Sequence, residues 1–254
     1  MQVFMKIVND SKTVPLQLTE QQITEVNNKS KEDDLKNAQQ TSKQRTKKHK
    51  DEAVRYDDFE KLINSIKFNI GKNKLFICFD IEAYELDHKI LTEFGWCIFK
   101  KDGTIIKEKH AIVKEHMDYR NGTLVPDNRD NYLFGTSVIE ELKVIEEELR
   151  KDIESVNYLV GQGITNDLRY LKSINIDTTK FVAMKNSKIP KFGVIDTMDL
   201  YSGMFYTQGV SLEKSLLKLK IPYDKLHNGG KKERTTIIII IIIIIYIYIL
   251  ALKQ

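Results

Sequence analysis

The stretch Leu75-Phe76-Ile77-Cys78-Phe79-Asp80-Ile81-Glu82 restricts this chain more than any other. Five apolar residues, rich in β-formers, run directly into two carboxylates spaced i, i+2. A continuous apolar run bounded by charge predicts a strand buried on both faces. Side chains at i and i+2 leave a strand on the same side, so Asp80 and Glu82 are expected to project together. Two ionised carboxylates side by side repel each other and are costly to desolvate. A divalent cation relieves both costs, and hard oxygen ligands at this spacing suit Mg²⁺ or Mn²⁺. The competing reading is a strand end meeting solvent, since acid-x-acid pairs recur at Glu146/Glu148 and Asp152/Glu154.

With 254 residues, 41% hydrophobic and 30% charged, the chain can bury one sizeable core. A net charge of +4 permits a nucleic-acid partner without arguing for one. Cys78 and Cys97 both fall in apparent strands, as reduced core thiols of an intracellular protein do. The expected location is cytoplasmic and/or nuclear. Met1–Lys6 lacks a basic start followed by an apolar run, so no secretory signal is expected.

Residues 1–53 are expected to be a mostly disordered region. From Asn27 to about Glu52 aliphatic side chains almost vanish, leaving too little apolar area to offset the entropy of ordering. The segment ends in a basic cluster, Lys43, Arg45, Lys47, Lys48, His49 and Lys50. A solvated linker, a loose RNA contact and a nuclear-import address all fit such a cluster.

Residues 54–230 carry the patterned domain. Phe59, Leu62, Ile63 and Ile66 recur at helical spacing. Strands are expected at about 74–81, at Leu91–Lys100 and at Ile105–Val113, with Gly103 in a tight turn, which describes an antiparallel meander. A loop occupies 117–134. Ser137 with Glu140 reads as a capping box opening a helix, whose stripe is Val138, Leu142, Ile145, Leu149, Ile153 and Val156. A strand at Tyr158–Gly161, a helix near Asn166–Ser173, a short strand at Val194–Asp196 and a helix at Leu212–Leu219 follow. Strands first, then alternating helix and strand, predict a mixed α/β sheet flanked by helices.

Two further places carry chemistry. In Gly161-Gln-Gly-Ile-Thr-Asn-Asp167 a strand ends, turns at glycine and opens a helix with Asp167 in its first turn. An aspartate there stabilises a helix dipole by itself, yet open α/β sheets also bind ligands at such strand ends. If this strand neighbours the first, Asp167 joins Asp80 and Glu82 as a third hard ligand. In Leu226-His227-Asn228-Gly229-Gly230 a histidine enters a sharply turned loop. It reads either as a surface histidine or as a general base beside a metal-bound water.

Phe79-Asp80-Ile81-Glu82, Leu91-Thr-Glu93-Phe94-Gly95, Gly161-x₅-Asp167-x₃-Leu171 and His227, in this order, resemble the DnaQ-like (DEDDh) 3′–5′ exonucleases of the ribonuclease H-like fold. The wording around Asp80 is most similar to a fungal exonuclease-like C-terminal domain family linked to mRNA transport. The resemblance covers roughly residues 70–230 and implies antiparallel first strands followed by parallel ones. By position, Asp80, Glu82 and Asp167 resemble three of the four metal-binding carboxylates, and His227 resembles the water-activating histidine. It further implies two Mg²⁺ or Mn²⁺ ions and a single-stranded RNA or DNA 3′ end as substrate, with mRNA-export factors as candidate partners. Gln162 stands where many members carry histidine.

The chain departs from the pattern after His227. The fourth carboxylate is expected five residues on, where this chain has Lys232, beside Lys231 and with Glu233 one residue out of place. A cation there opposes divalent-metal binding by Coulomb repulsion, so the activity is expected to be impaired. Asp196 and Asp199 fall in a different part of the pattern. Two competing readings follow, a non-catalytic nucleic-acid- or protein-binding module in mRNA export and a tail-anchored membrane protein. The latter comes from residues 231–254, which include nine isoleucines at Ile237–Ile245 and an Ile-Tyr alternation. That alternation is what an A/T nucleotide repeat encodes, so a frameshift or misread repeat is expected to have truncated the domain. The apolar run Ile237–Leu252 falls short of the roughly 20 residues that span a bilayer.

Overall fold

The computed structural model describes residues 19–127, 129–130, 136–184 and 189–220. His227, Lys232 and the isoleucine-rich segment lie outside the described residues. The chain divides into two compact units, Met1–Ala53 and Val54–Gln254.

The first unit corrects one expectation. The polar stretch 27–52 is helical, as part of α1 (Glu20–Asn69). Between Glu20 and Asn69 there is neither glycine nor proline, and Lys, Gln, Glu and Ala all propagate a helix at small cost. The hydroxyls of Thr24, Thr41 and Thr46 donate to the carbonyls four residues earlier. Low apolar content removes the means to bury this segment, not its tendency to coil.

In the second unit, a seven-stranded sheet has the order β4-β3-β2-β1-β5-β7-β6. The strands are β1 (Leu75–Tyr84), β2 (Asp87–Lys100), β3 (Ile105–Val113), β4 (Val138–Glu140), β5 (Tyr158–Gly161), β6 (Val182–Ala183) and β7 (Gly193–Asp196). β1, β2 and β3 form the expected antiparallel meander, and β1–β5, β5–β7 and β6–β7 are parallel. Gly103 takes φ +87° in the β2–β3 turn, where its amide donates to the Lys100 carbonyl.

Helices cover both faces. Ile77, Phe79 and Ile81 pack under α2 (Leu142–Ser155) and α3 (Thr165–Ser173), against Ile145, Leu149, Ile153 and Leu171. Phe76 and Cys78 face the other way, with Cys97 and Phe99. They meet Leu62, Ile63 and Ile66 of α1 together with residues of α4 (Thr197–Phe205) and α5 (Leu212–Leu219). Asp80 and Glu82 continue the row of Phe76 and Cys78.

The capping box at Ser137 is not formed. Ser137 precedes β4, which adds parallel to β3 at the sheet edge, and α2 begins only at Leu142. The Ser137 hydroxyl instead pairs with His110 Nδ1 at 2.8 Å. A nearby partner across the sheet outweighs a local cap worth about 1 kcal/mol. The later part of the expected stripe, Ile145, Leu149 and Ile153, is buried as read.

Candidate active site

β1 and β5 pair in parallel only as far as Cys78 and Val160. Beyond that level β5 turns through Gln162 and Gly163 (φ +65°) into α3. The Ile81 amide therefore lies past the end of the β5 ladder, and Asp167 Oδ1 accepts from it at 2.9 Å. Asp167, in the first turn of α3, is buried. Its carboxylate is thus bonded to the main-chain amide of Ile81, the one residue between Asp80 and Glu82. The three acids read from sequence line a single pocket of about 260 Å³.

The electrostatics carry the same signature. The Tyr170 phenol is pushed up by burial and then by the charges of Asp167, Glu82 and Asp80. It therefore remains a proton donor at neutral pH, facing the field of all three carboxylates.

The β1–β2 pairing makes room at the strand end. Asp80 lies opposite Gly95, which offers no side chain. After the pair Glu82–Glu93, the register skips Thr92, so Ala83 pairs with Leu91. A bulge of this kind re-aims neighbouring side chains, and the Thr92 hydroxyl donates to the Glu82 carbonyl at 3.3 Å. Glu93 is buried beside His110 Nε2 (3.3 Å) and Arg129 Nε (3.5 Å). Arg129 is itself buried and donates to the carbonyls of Met117 and Tyr119 at 3.0 and 2.7 Å.

The loop after β3 forms another wall of the pocket through Asn121 and Val125. Glu85 holds it in place. Its carboxylate accepts the amides of Thr123, Leu124 and Val125 at 2.8, 2.8 and 2.9 Å. Asn121 returns the contact, accepting the Glu85 amide at 2.9 Å and donating to the Ala83 carbonyl at 3.2 Å. Desolvation raises the Glu85 carboxyl, but the amides outweigh it and pull the pKa down to about 2.

Asp196 shapes the turn rather than the pocket. Its Oδ1 accepts from Gly163 and Met198 at 3.0 and 2.9 Å, and its Oδ2 accepts from Ile164 at 3.3 Å. Asp199 faces Arg55 at 3.4 Å. Neither stands in for a fourth carboxylate. Gln162 lines the pocket, and its side chain is held by the Val210 carbonyl at 3.0 Å and by the Thr197 hydroxyl.

Sequence reasoning missed Tyr170, Glu85, Asn121, His88 and the Glu93–His110–Arg129 cluster. His88 also lines the pocket. One usable signal was Glu93, a lone acid inside the otherwise apolar run Ile90–Phe99, where burial demands a cationic partner. Among the described residues, no group of three or more His, Cys, Asp or Glu side chains is arranged to hold a metal ion. No described helix is long and apolar enough to cross a membrane.

Residues 75–243 match the family of DNA polymerase III subunit epsilon-like C-terminal domains of the DEDDh type. The chain belongs to this family. As a DEDDh member it is similar to an uncharacterized nucleolar protein of Schizosaccharomyces pombe, 32% identical over 170 residues, covering 63% of this chain and 65% of that protein. It is also 27% identical over 217 residues to the Saccharomyces cerevisiae Good for full DBP5 activity protein 2, covering 72% of this chain and 38% of that one. The DEDDh chain thus spans less than two thirds of these relatives' own length. Among solved structures, exonuclease I superposes with a TM-score of 0.47 at 11% identity, covering 70% of this chain and 44% of that one.

Proposed function

We propose that the domain is a metal-dependent 3′–5′ exonuclease acting on single-stranded RNA or DNA. The observation that carries this reading is the bond from Asp167 to the amide of Ile81, the residue between Asp80 and Glu82, which brings three carboxylates to one pocket. The donors are all hard oxygens, the chemistry that suits Mg²⁺ or Mn²⁺; Asp80, Glu82 and Asp167 line the pocket without forming a ready metal-holding group and would close on the ion to hold it. Bound there, the metal would supply positive charge to the scissile phosphate and make water a better nucleophile at neutral pH.

The chain's own groups account for the remaining steps. His227, by its place in the family pattern, takes a proton from the attacking water. The water oxygen bonds to phosphorus while the bond from phosphorus to the 3′ oxygen breaks, and that oxygen takes up a proton. A nucleoside 5′-monophosphate leaves. Tyr170, on the pocket wall, keeps its phenolic proton and would donate a hydrogen bond to a phosphate oxygen. Lys232 at the fourth carboxylate position lowers the activity, because a cation there competes with divalent charge.

A 3′-labelled oligonucleotide assay with Mg²⁺, with EDTA and with Asp80→Ala tests this reading. Cleavage that needs the metal and is lost in Asp80→Ala is expected; cleavage that survives both would sink it. Lys232 favours a second reading, a non-catalytic nucleic-acid- or protein-binding module, to which the family resemblance adds a role in mRNA export. RNA binding that needs no metal and is indifferent to Asp80→Ala would favour it. Either reading places the protein in the cytoplasm or the nucleus.

A further inference from the structure

Between Leu35 and Lys50 the chain carries Lys36, Lys43, Arg45, Lys47, Lys48 and Lys50 and no acid. The whole segment is helical and exposed. Among the described residues, the ion pair in this stretch is His49 with Glu52 at 3.7 Å, which leaves the six cations outside it. With about 100° per residue, Lys36, Lys43, Lys47 and Lys50 fall within about 60° of arc, spread along about 21 Å of axis. Arg45 and Lys48 point to the other side of the cylinder. Lys43, Lys47 and Lys50 line a shallow groove with Ser42, Thr46 and one acid, Asp51, at its end.

The side chains that flank this stripe are polar: only Leu35 and Ala38 are aliphatic between Leu35 and Lys50. A helix that binds lipid needs an apolar face to bury in the acyl boundary, and this one has none. A row of flexible ammonium groups, about 4.5 to 10.5 Å apart along the axis, with hydroxyls beside it suits a flexible polymer of repeated negative charge. We propose that this stripe binds the phosphate backbone of a nucleic acid without reading its bases, as a contact additional to the pocket. The proposal rests on the reading that the domain acts on nucleic acid. Binding of this kind is driven by counterion release, about 0.7 per phosphate neutralised on a single strand. Four lysines then contribute about 3 to the slope of log affinity against log salt, or about fifty-fold between 50 and 200 mM.

The test uses the full chain in EDTA, carrying Asp80→Asn, and a fluorescein-labelled 20-nucleotide oligouridylate titrated from 50 to 200 mM salt. Lys36→Gln/Lys43→Gln/Lys47→Gln/Lys50→Gln should lower affinity at 50 mM at least tenfold and flatten the slope by about 3. Glutamine is as good a helix former as lysine, so circular dichroism should stay unchanged, and the four Lys→Arg changes should keep the slope. Arg45→Gln/Lys48→Gln should leave it nearly as it was. An unchanged slope in the quadruple glutamine variant overturns the stripe, as does an equal loss per charge from both faces. Binding to phosphatidylserine vesicles that these changes abolish, with oligouridylate binding untouched, overturns it in favour of a membrane surface. If the unaltered chain cleaves nothing while the slope difference persists, the proposed activity falls and the stripe stands.

Discussion

Asp167 Oδ1 accepts the Ile81 amide at 2.9 Å, so one carboxylate both closes the frayed end of the β1 ladder and stands beside Asp80 and Glu82. The two roles separate by substitution. Asp167→Asn keeps an oxygen for the amide but loses the charge, so the protein should melt within about 1 kcal/mol of wild type. Cleavage should nevertheless fall at least a hundredfold. Asp167→Ala should lose the same activity and also about 1–3 kcal/mol, because the buried amide loses its acceptor. Denaturation curves and a nuclease assay on both variants check this. Full activity in Asp167→Asn would contradict it.

The Glu85 clasp has a defined pH window. Its folded-state pKa is about 2, below the ordinary 4.5. A group depressed on folding stabilises above its unfolded pKa, and that contribution is lost as pH falls through the folded value. The protection of the Thr123, Leu124 and Val125 amides against hydrogen exchange, relative to an unstructured peptide at the same pH, should therefore be high at pH 5 and above and fall between pH 4.5 and about 2. Protection that persists unchanged at pH 2 would speak against the clasp.

Glu85→Gln tests the same loop at neutral pH. Glutamine offers one acceptor oxygen and turns an amino group against backbone donors. The wall carrying Asn121 and Val125 should loosen, raising KM severalfold while leaving kcat within about twofold, since uniform binding is what is lost. Steady-state kinetics on an oligonucleotide would show the split, and a loss confined to kcat would assign Glu85 another role.

Arg129 compensates Glu93 inside the protein. Arg129→Ala should cost about 3–5 kcal/mol, the usual penalty for leaving a buried charge uncompensated. Lysine should not restore it, because the guanidinium also spans the carbonyls of Met117 and Tyr119. Replacing Glu93 and Arg129 together with Gln and Met should recover part of the loss. Urea melts of wild type, Glu93→Gln, Arg129→Met and the double variant give the coupling directly.

Gly203 lies where α4 meets α1. A Cβ there would sit 2.6 Å from the Phe59 carbonyl carbon. Backbone cannot step aside as a side chain can, so Gly203→Ala should destabilise by about 1–3 kcal/mol. Trimming Phe59 to alanine should fail to rescue it, since the clash is with main chain. Thermal melts of the single and double variants decide the point.

The apolar run of β1 and the i, i+2 spacing anticipated that Asp80 and Glu82 emerge together at one pocket, because strand geometry leaves little choice once the run is buried. Asp167 was legible for a similar reason, since a glycine turn followed by a short helix fixes where a first-turn residue emerges. Glu85 was not legible. Its partners are three consecutive loop amides, and any carboxylate in sequence looks equally able to find such donors. Ser137 misled because its true partner, His110, is remote in sequence. The stretch from Thr197 to Phe205 has no clean helical stripe, and its helix depends on the Asp196 carboxylate for its first free amide.

That carboxylate joins events that would otherwise be independent. Because Asp196 serves the entry of α3 and the entry of α4 at once, a tilt of either helix strains the other's first turn. Gln162, tethered to both Thr197 and Val210, adds a second tie on the same side. A ligand that pulls on Asp167 therefore loads the first turn of α3 and, through Asp196 and Gln162, the start of α4 and the Val210 carbonyl ahead of α5.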